Sequence, residues 1–376
     1  MSSNTGLPLD IAELILAELD GDEQTLKSCA LVSRRLLVPA RRHLFNTVKL
    51  TSEENCIRFS DLITSPQSEE ISAFVQRLEI RVSEEVDYFL EEQHQPLVSI
   101  FTAVKPFLHE FEFSTLDSTP FDTINPAMQA VFMAIFASPN LHKISLGSFS
   151  HLPFAHLVTC ISIKDFYIRH EYREEEHEHV FEQPPYAENL LPQCQPEVLD
   201  LSSCSSCAGS FLNFNLSSLR SLILIDHSFQ HLRTLVVRTQ ERLENFVWSS
   251  KAHHSDSSMA DFDNINLPNI RTLRLVVFFT QDPIKPMEFL VSLLKGCGSA
   301  SHGRSLETIT LALRLKDREL SMLDGSGLEA TLKHGLYKTL RGVIFEIMYD
   351  GTLEEASVEK LLKDSMPYLL SRGILQ

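Results

Sequence analysis

The stretch LPLDIAELILAELDGDEQTLKSCALVSRRLLVPARRHLF, residues 7–45, is the densest run of short helical patterns in the chain. Apolar residues recur at three- and four-residue intervals over residues 11–19, which predicts an amphipathic helix of about three turns. Asp20-Gly21-Asp22 ends this helix, and Asp22 is a suitable cap for a second one over the following ten residues. Pro39 is expected to open a third helix, because proline lacks the N–H group that a helix interior needs.

Three helices in about forty residues bury too little apolar surface to be stable alone. We therefore expect a partner, or the rest of the chain, to cover part of this surface. The alternative is an ordinary helical cap at the start of a larger domain.

This stretch resembles an F-box. The resemblance rests on Leu7-Pro8, Asp10-Ile11, Ile15, Leu19, Leu26 and the run Cys-Ala-Leu-Val-Ser-Arg at 29–34. It implies an F-box domain over residues 1–47 that docks onto the Skp-type adaptor subunit of a Skp–cullin–F-box ubiquitin ligase, and through it onto a cullin. The residues that it assigns to adaptor binding are Leu7, Pro8, Ile11, Ile15, Leu16, Leu26, Val32, Ser33 and Arg34. Leu36 stands where many F-boxes carry tryptophan.

Composition bounds the remaining possibilities. A chain of 376 residues is long for one compact domain and predicts two structural units. Its 43% hydrophobic and 22% charged residues are typical of a soluble globular protein. No apolar run is long enough to span a membrane, and Asp10 and Glu13 interrupt the only candidate signal-peptide core. Seven irregularly spaced cysteines favour reduced thiols in the cytoplasm and/or nucleus.

The net charge of −17 is unevenly distributed. Residues 1–50 carry six basic and six acidic side chains, so the whole excess lies in residues 51–376. Such a body should repel nucleic acid and anionic lipid, and we therefore expect protein partners, with no nucleic acid and no membrane. The one basic cluster, Arg34, Arg35, Arg41 and Arg42, either assists docking electrostatically or is a solvated helix face.

After residue 75 a six-residue frame recurs, apolar-x-x-apolar-x-apolar. Its copies are Val75/Leu78/Ile80, Leu108/Phe111/Phe113, Leu141/Ile144/Leu146, Val158/Ile161/Ile163, Leu219/Leu222/Leu224, Leu232/Leu235/Val237, Leu243/Phe246/Trp248, Ile270/Leu273/Leu275, Leu306/Ile309/Leu311 and Leu340/Val343/Phe345. A weaker copy is Leu199/Leu201, where Pro196 occupies the first position. Several copies lie 33 to 36 residues apart, and helical patterns separate them. A strand and a helix at this period predict a solenoid, in which each unit buries its apolar face on the next.

The pattern resembles irregular leucine-rich repeats, which implies an α/β solenoid over residues 75–348 after a bridge at 48–74. The copies beginning at Leu219, Leu232 and Leu243 are too close together for three complete repeats, so one of them should be convex-side or hairpin structure instead of a true repeat. The alternative is a non-repetitive α/β domain with chance matches. Residues 349–376 predict a C-terminal capping helix, opened by Thr352 and Glu355 and kinked or split at Pro367.

Candidate chemistry is sparse. Residues 169–189 alternate glutamate and histidine, which favours a solvated acidic loop over a weak metal site or a pH-sensitive patch. Cys204 and Cys207 have CxxC spacing but lack a second ligand pair for zinc. The glycine-rich run 296–303 follows a helix and precedes a strand, the reverse of a phosphate-binding loop. The sequence therefore predicts no catalytic residue, metal or cofactor, and a non-catalytic substrate receptor; an interaction scaffold outside any ligase and an enzyme hidden in the α/β body are the rivals.

Overall fold

The structure is a computed structural model. It describes residues 8–82, 94–169, 193–202, 210–225, 235–236, 238–239, 241–250, 267, 269–278, 291, 294, 306–315, 326–333, 339–349 and 355–375. The chain divides into two compact units. The first comprises residues 1–164 with 187–194, and the second comprises residues 165–186 with 195–376. Each unit contains a parallel sheet and several helices, so the predicted α/β class is confirmed.

Three helices open the first unit: α1 (Leu9–Ala17), α2 (Glu23–Val32) and α3 (Arg34–Asn46). The Asp22 carboxylate accepts a hydrogen bond from the Thr25 N–H at 3.1 Å, so the predicted cap of α2 is confirmed. Gly21 connects the first two helices with a φ of +90°, a conformation that glycine adopts without strain.

The predicted start of the third helix at Pro39 is wrong. Helix α3 begins five residues earlier, because the Ser33 hydroxyl accepts a hydrogen bond from the Arg35 N–H at 3.2 Å and caps it there. Pro39 therefore lies inside α3, where its ring is buried. Ser33 is the stronger start signal because its side chain accepts a hydrogen bond from a free N–H group of the first turn. Proline merely has no N–H group of its own and supplies no such bond.

The sheet of the first unit has four parallel strands in chain order: β1 (Thr47–Leu50), β2 (Arg77–Val82), β3 (Glu110–Pro120) and β4 (Lys143–Ser150). Between and after them come helices α4 (Glu53–Thr64), α5 (Gln95–Val104), α6 (Pro126–Phe136) and α7 (Phe154–Leu157), with 3₁₀ turns at Glu69–Phe74 and Lys105–Phe107. Because β1 pairs in parallel with β2, residues 48–74 supply the first strand and helix of the sheet. The segment interpreted as a bridge between the opening helices and the repeats therefore also contributes to the sheet.

The repeated frame sets the strand register in the first unit. Its second positions are direct partners across the sheet, in the order Val48, Leu78, Phe111 and Ile144. Its third positions pair in the same way, in the order Leu50, Ile80, Phe113 and Leu146. Every one of these side chains is at least 92% buried. Each strand therefore buries the same two apolar side chains as its neighbour, which is the stacking that a solenoid requires.

An aromatic cluster joins the helices of the first unit to its sheet. Phe132 on α6 contacts Phe113 on β3 edge to face, with ring centroids 5.0 Å apart. Phe101 on α5 contacts Phe111 in the same geometry at 5.5 Å. Such pairs contribute about 0.5–1.5 kcal/mol each beyond their buried area, so these rings hold the helix layer against the strands.

One predicted frame is wrong. Val158/Ile161/Ile163 does not form a strand, and Ile161 is 66% exposed in the turn that follows α7. The strand lies five residues later, at β5 (Asp165–Arg169), where Phe166 and Ile168 are buried. The same spacing begins again at Ile163, and packing selected this second copy because it buries larger side chains.

The second unit continues with parallel strands in chain order. They are β5, β6 (Val198–Asp200), β7 (Ser221–Ile225), β8 (Asn245–Ser250), β9 (Thr272–Phe278), β10 (Thr308–Leu315) and β11 (Gly342–Tyr349). Short 3₁₀ turns lie at Ser210–Asn213 and Leu216–Ser218. Frame positions again pair in register, for example Phe246 with Leu273 and Leu273 with Ile309. Leu235 and Val236 are helical and buried, so this part of the crowded frames is not a strand.

The C-terminal part of the second unit contains α8 (Ser326–Lys333), α9 (Glu355–Ser365) and α10 (Pro367–Ser371). Pro367 separates α9 from α10, so of the two outcomes expected at this proline, a kink or a split, the split is observed. The buried carboxylate of Glu329 on α8 accepts a hydrogen bond from the Tyr368 N–H. The Val343 N–H on β11 donates to the Ile374 carbonyl at 2.6 Å, so the last described residues lie against the final strand.

Candidate functional site

The opening helices leave large apolar side chains uncovered. Ile11 and Ile15 on α1 are 44% and 49% exposed, and Leu31 and Val32 at the end of α2 are 88% and 81% exposed. Residues four apart lie on the same side of a helix, so Ile11 and Ile15 form one ridge, which we call the α1 ridge. An unbroken exposed ridge of this kind is typical of a protein-docking surface.

The structure separates the predicted adaptor-binding residues into two groups. Pro8 and Arg34 are exposed and Ser33 is half-buried, whereas Leu7 lies outside the described residues. Leu16 and Leu26 are only 1% and 2% exposed. They pack on Ala40, together with the partly buried Leu19, Cys29, Ala30, Leu36 and Leu44.

The assignment of Leu16 and Leu26 to direct partner contact is therefore corrected. Leu16 lies one residue beyond the α1 ridge, which turns it toward the other two helices instead of toward solvent. Both leucines support the ridge from the interior. Leu36 packs against the same interior.

Two of the four arginines of the basic cluster, Arg41 and Arg42, form ion pairs within the first unit. Arg41 pairs with Glu70 and Arg42 pairs with Glu13, each at 3.2 Å. Arg34 is exposed and makes no ion pair with any described residue. Exposed pairs of this kind contribute about 0–1 kcal/mol, so Arg41 and Arg42 orient α3 without contributing much stability.

A separate open groove of about 530 Å³ lies between α1 and α3. It is lined by Asp10, Glu13, Leu14, Ala17, Pro39, Arg42 and His43. Asp10, Leu14 and Ala17 follow three- and four-residue intervals and share one side of α1, which is not the side of the ridge. A substitution in the groove can therefore serve as a control for one on the α1 ridge, because the groove is also exposed but lies on a different side of α1.

The outward strand face of the first unit carries a network of ion pairs. Glu79 has only 5% of its side chain exposed and accepts from Arg77 at 2.6 Å and from Lys49 at 3.0 Å. Glu110 pairs with Lys143 at 3.1 Å, and Arg81 lies 3.5 Å from Glu112. The network neutralises its own charges, so this face presents few unmatched groups to a ligand.

The outward strand face of the second unit is more apolar. Ile223, Ile225, Val247 and Ile344 are half-buried on β7, β8 and β11. Sequence reasoning missed these residues because it followed only the buried positions of the frame. The available signal was the run SLILI at 221–225, which is apolar at both alternating positions and indicates a strand that is apolar on both faces.

The described cysteines Cys29, Cys56, Cys160 and Cys194 form no disulfide. Burial raises the pKa of Cys56 to about 12, that of Cys160 to about 11 and that of Cys194 to about 12. Their thiols are therefore protonated and poorly nucleophilic near neutral pH. Among the described residues no group of three or more metal-binding side chains comes together. The CxxC pair, the glycine-rich run, Thr352 and residues 170–189 of the acidic segment lie outside the described residues.

Comparison with known proteins adds no family. No family model matches the chain, and no curated protein matches it. Among solved structures, a protein from Bacteroides fragilis aligns with 77% of this chain and 73% of its own, at 12% identity and a TM-score of 0.39. None of the helices in the described ranges is both long and apolar enough to cross a lipid bilayer.

Proposed function

We propose that this chain is the substrate-recognition subunit of a Skp–cullin–F-box ubiquitin ligase in the cytoplasm and/or nucleus. The opening helices would act as an F-box and bind the Skp-type adaptor, and the strand faces would bind a substrate protein. The chain itself would perform no chemistry. Holding the substrate beside the ubiquitin-carrying enzyme raises its effective concentration there, which is sufficient to direct modification.

The observation that carries the proposal is the exposure of the α1 ridge. About half of each isoleucine side chain remains to be buried, and burial of that area would contribute roughly 1 kcal/mol for each residue. Leu31 and Val32 add further exposed apolar surface on the same three helices. A helical unit that keeps such residues at its surface favours a protein partner over a purely internal role.

The deciding experiment is co-expression of the full chain with a Skp-type adaptor. The double variant Ile11→Asp/Ile15→Asp should lose co-purification, because burial of two unpaired carboxylates opposes docking. Leu14→Asp is the matched control, since Leu14 is 65% exposed on the same helix but lines the α1–α3 groove. Wild-type chain that folds and still fails to co-purify would remove the proposal.

An interaction scaffold that never joins a ligase is the second candidate. It is favoured by Leu36, which occupies the family's tryptophan position and packs inward on the Leu16 and Leu26 interior. The two candidates differ in one outcome. A captured partner should be ubiquitylated by the reconstituted complex and lose this modification in Ile11→Asp/Ile15→Asp, whereas a scaffold would bind the partner without any such change.

The substrate-binding part of the proposal concerns the second unit. Its half-buried Ile223 and Val247 are direct register partners and offer an apolar surface, whereas the corresponding face of the first unit is occupied by ion pairs. Val247→Lys should therefore reduce substrate capture while adaptor binding is retained. If Val247→Lys instead loses adaptor binding and still captures the substrate, the substrate-binding surface lies elsewhere.

A further inference from the structure

The last strand of the second unit is less covered than the strands before it. The third frame position is 0% exposed at Leu275 on β9 and 1% exposed at Leu311 on β10. Phe345 on β11 is the register partner of Leu311, yet it is only half-buried. The next strand is what covers this position elsewhere, and β11 has no next strand in the sheet order of the described residues.

The backbone of β11 is also paired on only one side along most of its described length. Val343 donates to Ile374, and the same residue forms a one-residue parallel bridge with Leu375. In a parallel ladder alternate residues direct their N–H groups to the same edge, so Phe345 and Ile347 face the same way as Val343. Among the described residues no strand continues along this edge beyond Leu375.

The sequence of β11 does little to protect that edge. Natural edge strands are commonly shielded by lysine, proline or a bulge. The strand reads GVIFEIMY, with Glu346 as its single charge and no proline. Glu346 is 41% exposed, and its Oε2 atom accepts from Arg274 at 2.6 Å, whereas Oε1 pairs with no described residue.

We propose that the open edge of β11, from Phe345 to Tyr349, binds an extended segment of another protein, which adds to the sheet as a parallel strand. Backbone hydrogen bonds hold such a segment, and its side chains give specificity. The segment carries an apolar residue beside Phe345 and a lysine or arginine beside Glu346. The parallel direction is that of the one-residue bridge at Leu375. The basic residue would complement the Glu346 Oε1 atom, which pairs with no described residue, and the chain's net charge of −17. This inference is independent of the proposed ligase function.

The test uses the full chain and the peptide Thr-Val-Lys-Val-Lys-Val-Thr-amide, labelled with fluorescein on its N-terminal amine, in an anisotropy titration. Two control peptides carry N-methyl groups, one on its valines and one on its lysines. Only one set of N–H groups can face β11, so one methylated peptide should bind about ten-fold more weakly and the other should bind nearly normally. Equal binding of all three peptides would overturn the proposal, as would absence of binding by the unmethylated one.

Two protein variants, Ile347→Pro and Glu346→Gln, locate the contact, and Ile347→Thr is the matched control. Ile347→Pro removes an outward N–H group, which an edge strand tolerates, and it should weaken the peptide about ten-fold, whereas Ile347→Thr should retain most binding. Glu346→Gln should weaken binding about three-fold and reduce its salt dependence. If Ile347→Pro does not fold, the methylated peptides and Glu346→Gln still decide the question. Self-association of the chain that Ile347→Pro abolishes would overturn the assignment to a foreign segment and identify a second copy as the occupant.

Discussion

The Glu79 carboxylate lies 2.6 Å from the guanidinium of Arg77, two residues earlier on the same strand, while only 5% of the Glu79 side chain is exposed. Lys49 approaches the other oxygen at 3.0 Å from the neighbouring strand. A carboxylate this deeply buried is stable only because two cations compensate it. The charged strand face of the first unit is therefore built around a buried acid.

Removal of that acid should destabilise the first unit. Glu79→Ala leaves Arg77 and Lys49 without their common partner, and we expect a loss of about 2 kcal/mol in the free energy of unfolding, less than the roughly 3–5 kcal/mol of a fully buried pair because both cations are partly exposed. Urea denaturation followed by circular dichroism measures it. Glu54→Ala, which breaks the exposed pair with Arg58, should change the free energy by about 0.5 kcal/mol or less. Equal effects of the two variants would contradict the structural role of Glu79.

The interior of the opening helices and the α1 ridge should respond differently to truncation. Leu16→Ala creates a cavity against Leu26 and Ala40 and should cost about 2–5 kcal/mol, since Leu16 is 1% exposed. Ile15→Ala, on the half-exposed ridge, should cost about 1 kcal/mol or less. Thermal and urea unfolding of both variants provide the comparison. A large loss from Ile15→Ala would mean that the ridge is part of the core.

The contact between Glu329 and Tyr368 should hold the C-terminal helices. In Glu329→Ala the Tyr368 N–H group loses its acceptor, at a cost of about 1–2 kcal/mol. Amide hydrogen exchange over residues 366–375 should accelerate, because local opening becomes easier. Glu329→Gln keeps an acceptor oxygen and should restore most protection. Lys333→Ala removes only a cation at 5.1 Å from the Tyr368 ring and should have a small effect.

Stability should fall at alkaline pH because of the buried thiols. The pKa of Cys160 is about 11 in the folded chain against an ordinary value of 9.0, and burial is the main cause. Below pH 9 the thiol is protonated in both states and its contribution is fully present. Above that pH the unfolded chain loses this proton first, so stability decreases until the folded pKa is passed.

For Cys160 alone the loss at pH 10 is about 1 kcal/mol. Urea unfolding at about pH 8 and about pH 10 measures it, and Cys160→Ala should have a smaller difference between the two pH values than wild type. Other groups also titrate in this range, but the comparison with the variant removes their contribution. An unchanged difference would show that Cys160 is not protected from ionisation.

Much of the sheet could be predicted from local pattern. Leu78 and Phe111 are 33 residues apart in the chain, and the repeated frame alone identifies them as equivalent positions. The unpaired backbone groups of a strand and the alternation of its side chains are local properties. Short-range spacing was therefore enough to indicate repeated parallel strands. The capped start of α2 at Asp22 and the split at Pro367 were equally local.

The pattern failed where two local solutions competed. Val158/Ile161/Ile163 and the frame that begins at Ile163 have the same spacing, and only burial of Phe166 and Ile168 against other parts of the chain selected the second. At the start of α3 the sequence analysis used Pro39 and overlooked Ser33. The Ser33 hydroxyl accepts a hydrogen bond from the Arg35 N–H, and this bond fixes the start of the helix.

The amino-acid sequence by itself determined the α/β class and identified many of the residues that pair across the sheet, because both depend on the spacing of apolar residues along the chain. Tertiary structure alone decided that Leu16 lies in the interior while Ile15 stays at the surface, that Glu79 is buried between two cations, and that Phe345 lacks a covering strand among the described residues. The physical reason is that burial and charge compensation depend on neighbours that are distant in sequence. The spacing of apolar residues identifies which side chains are candidates for burial, and tertiary packing decides which of them are buried.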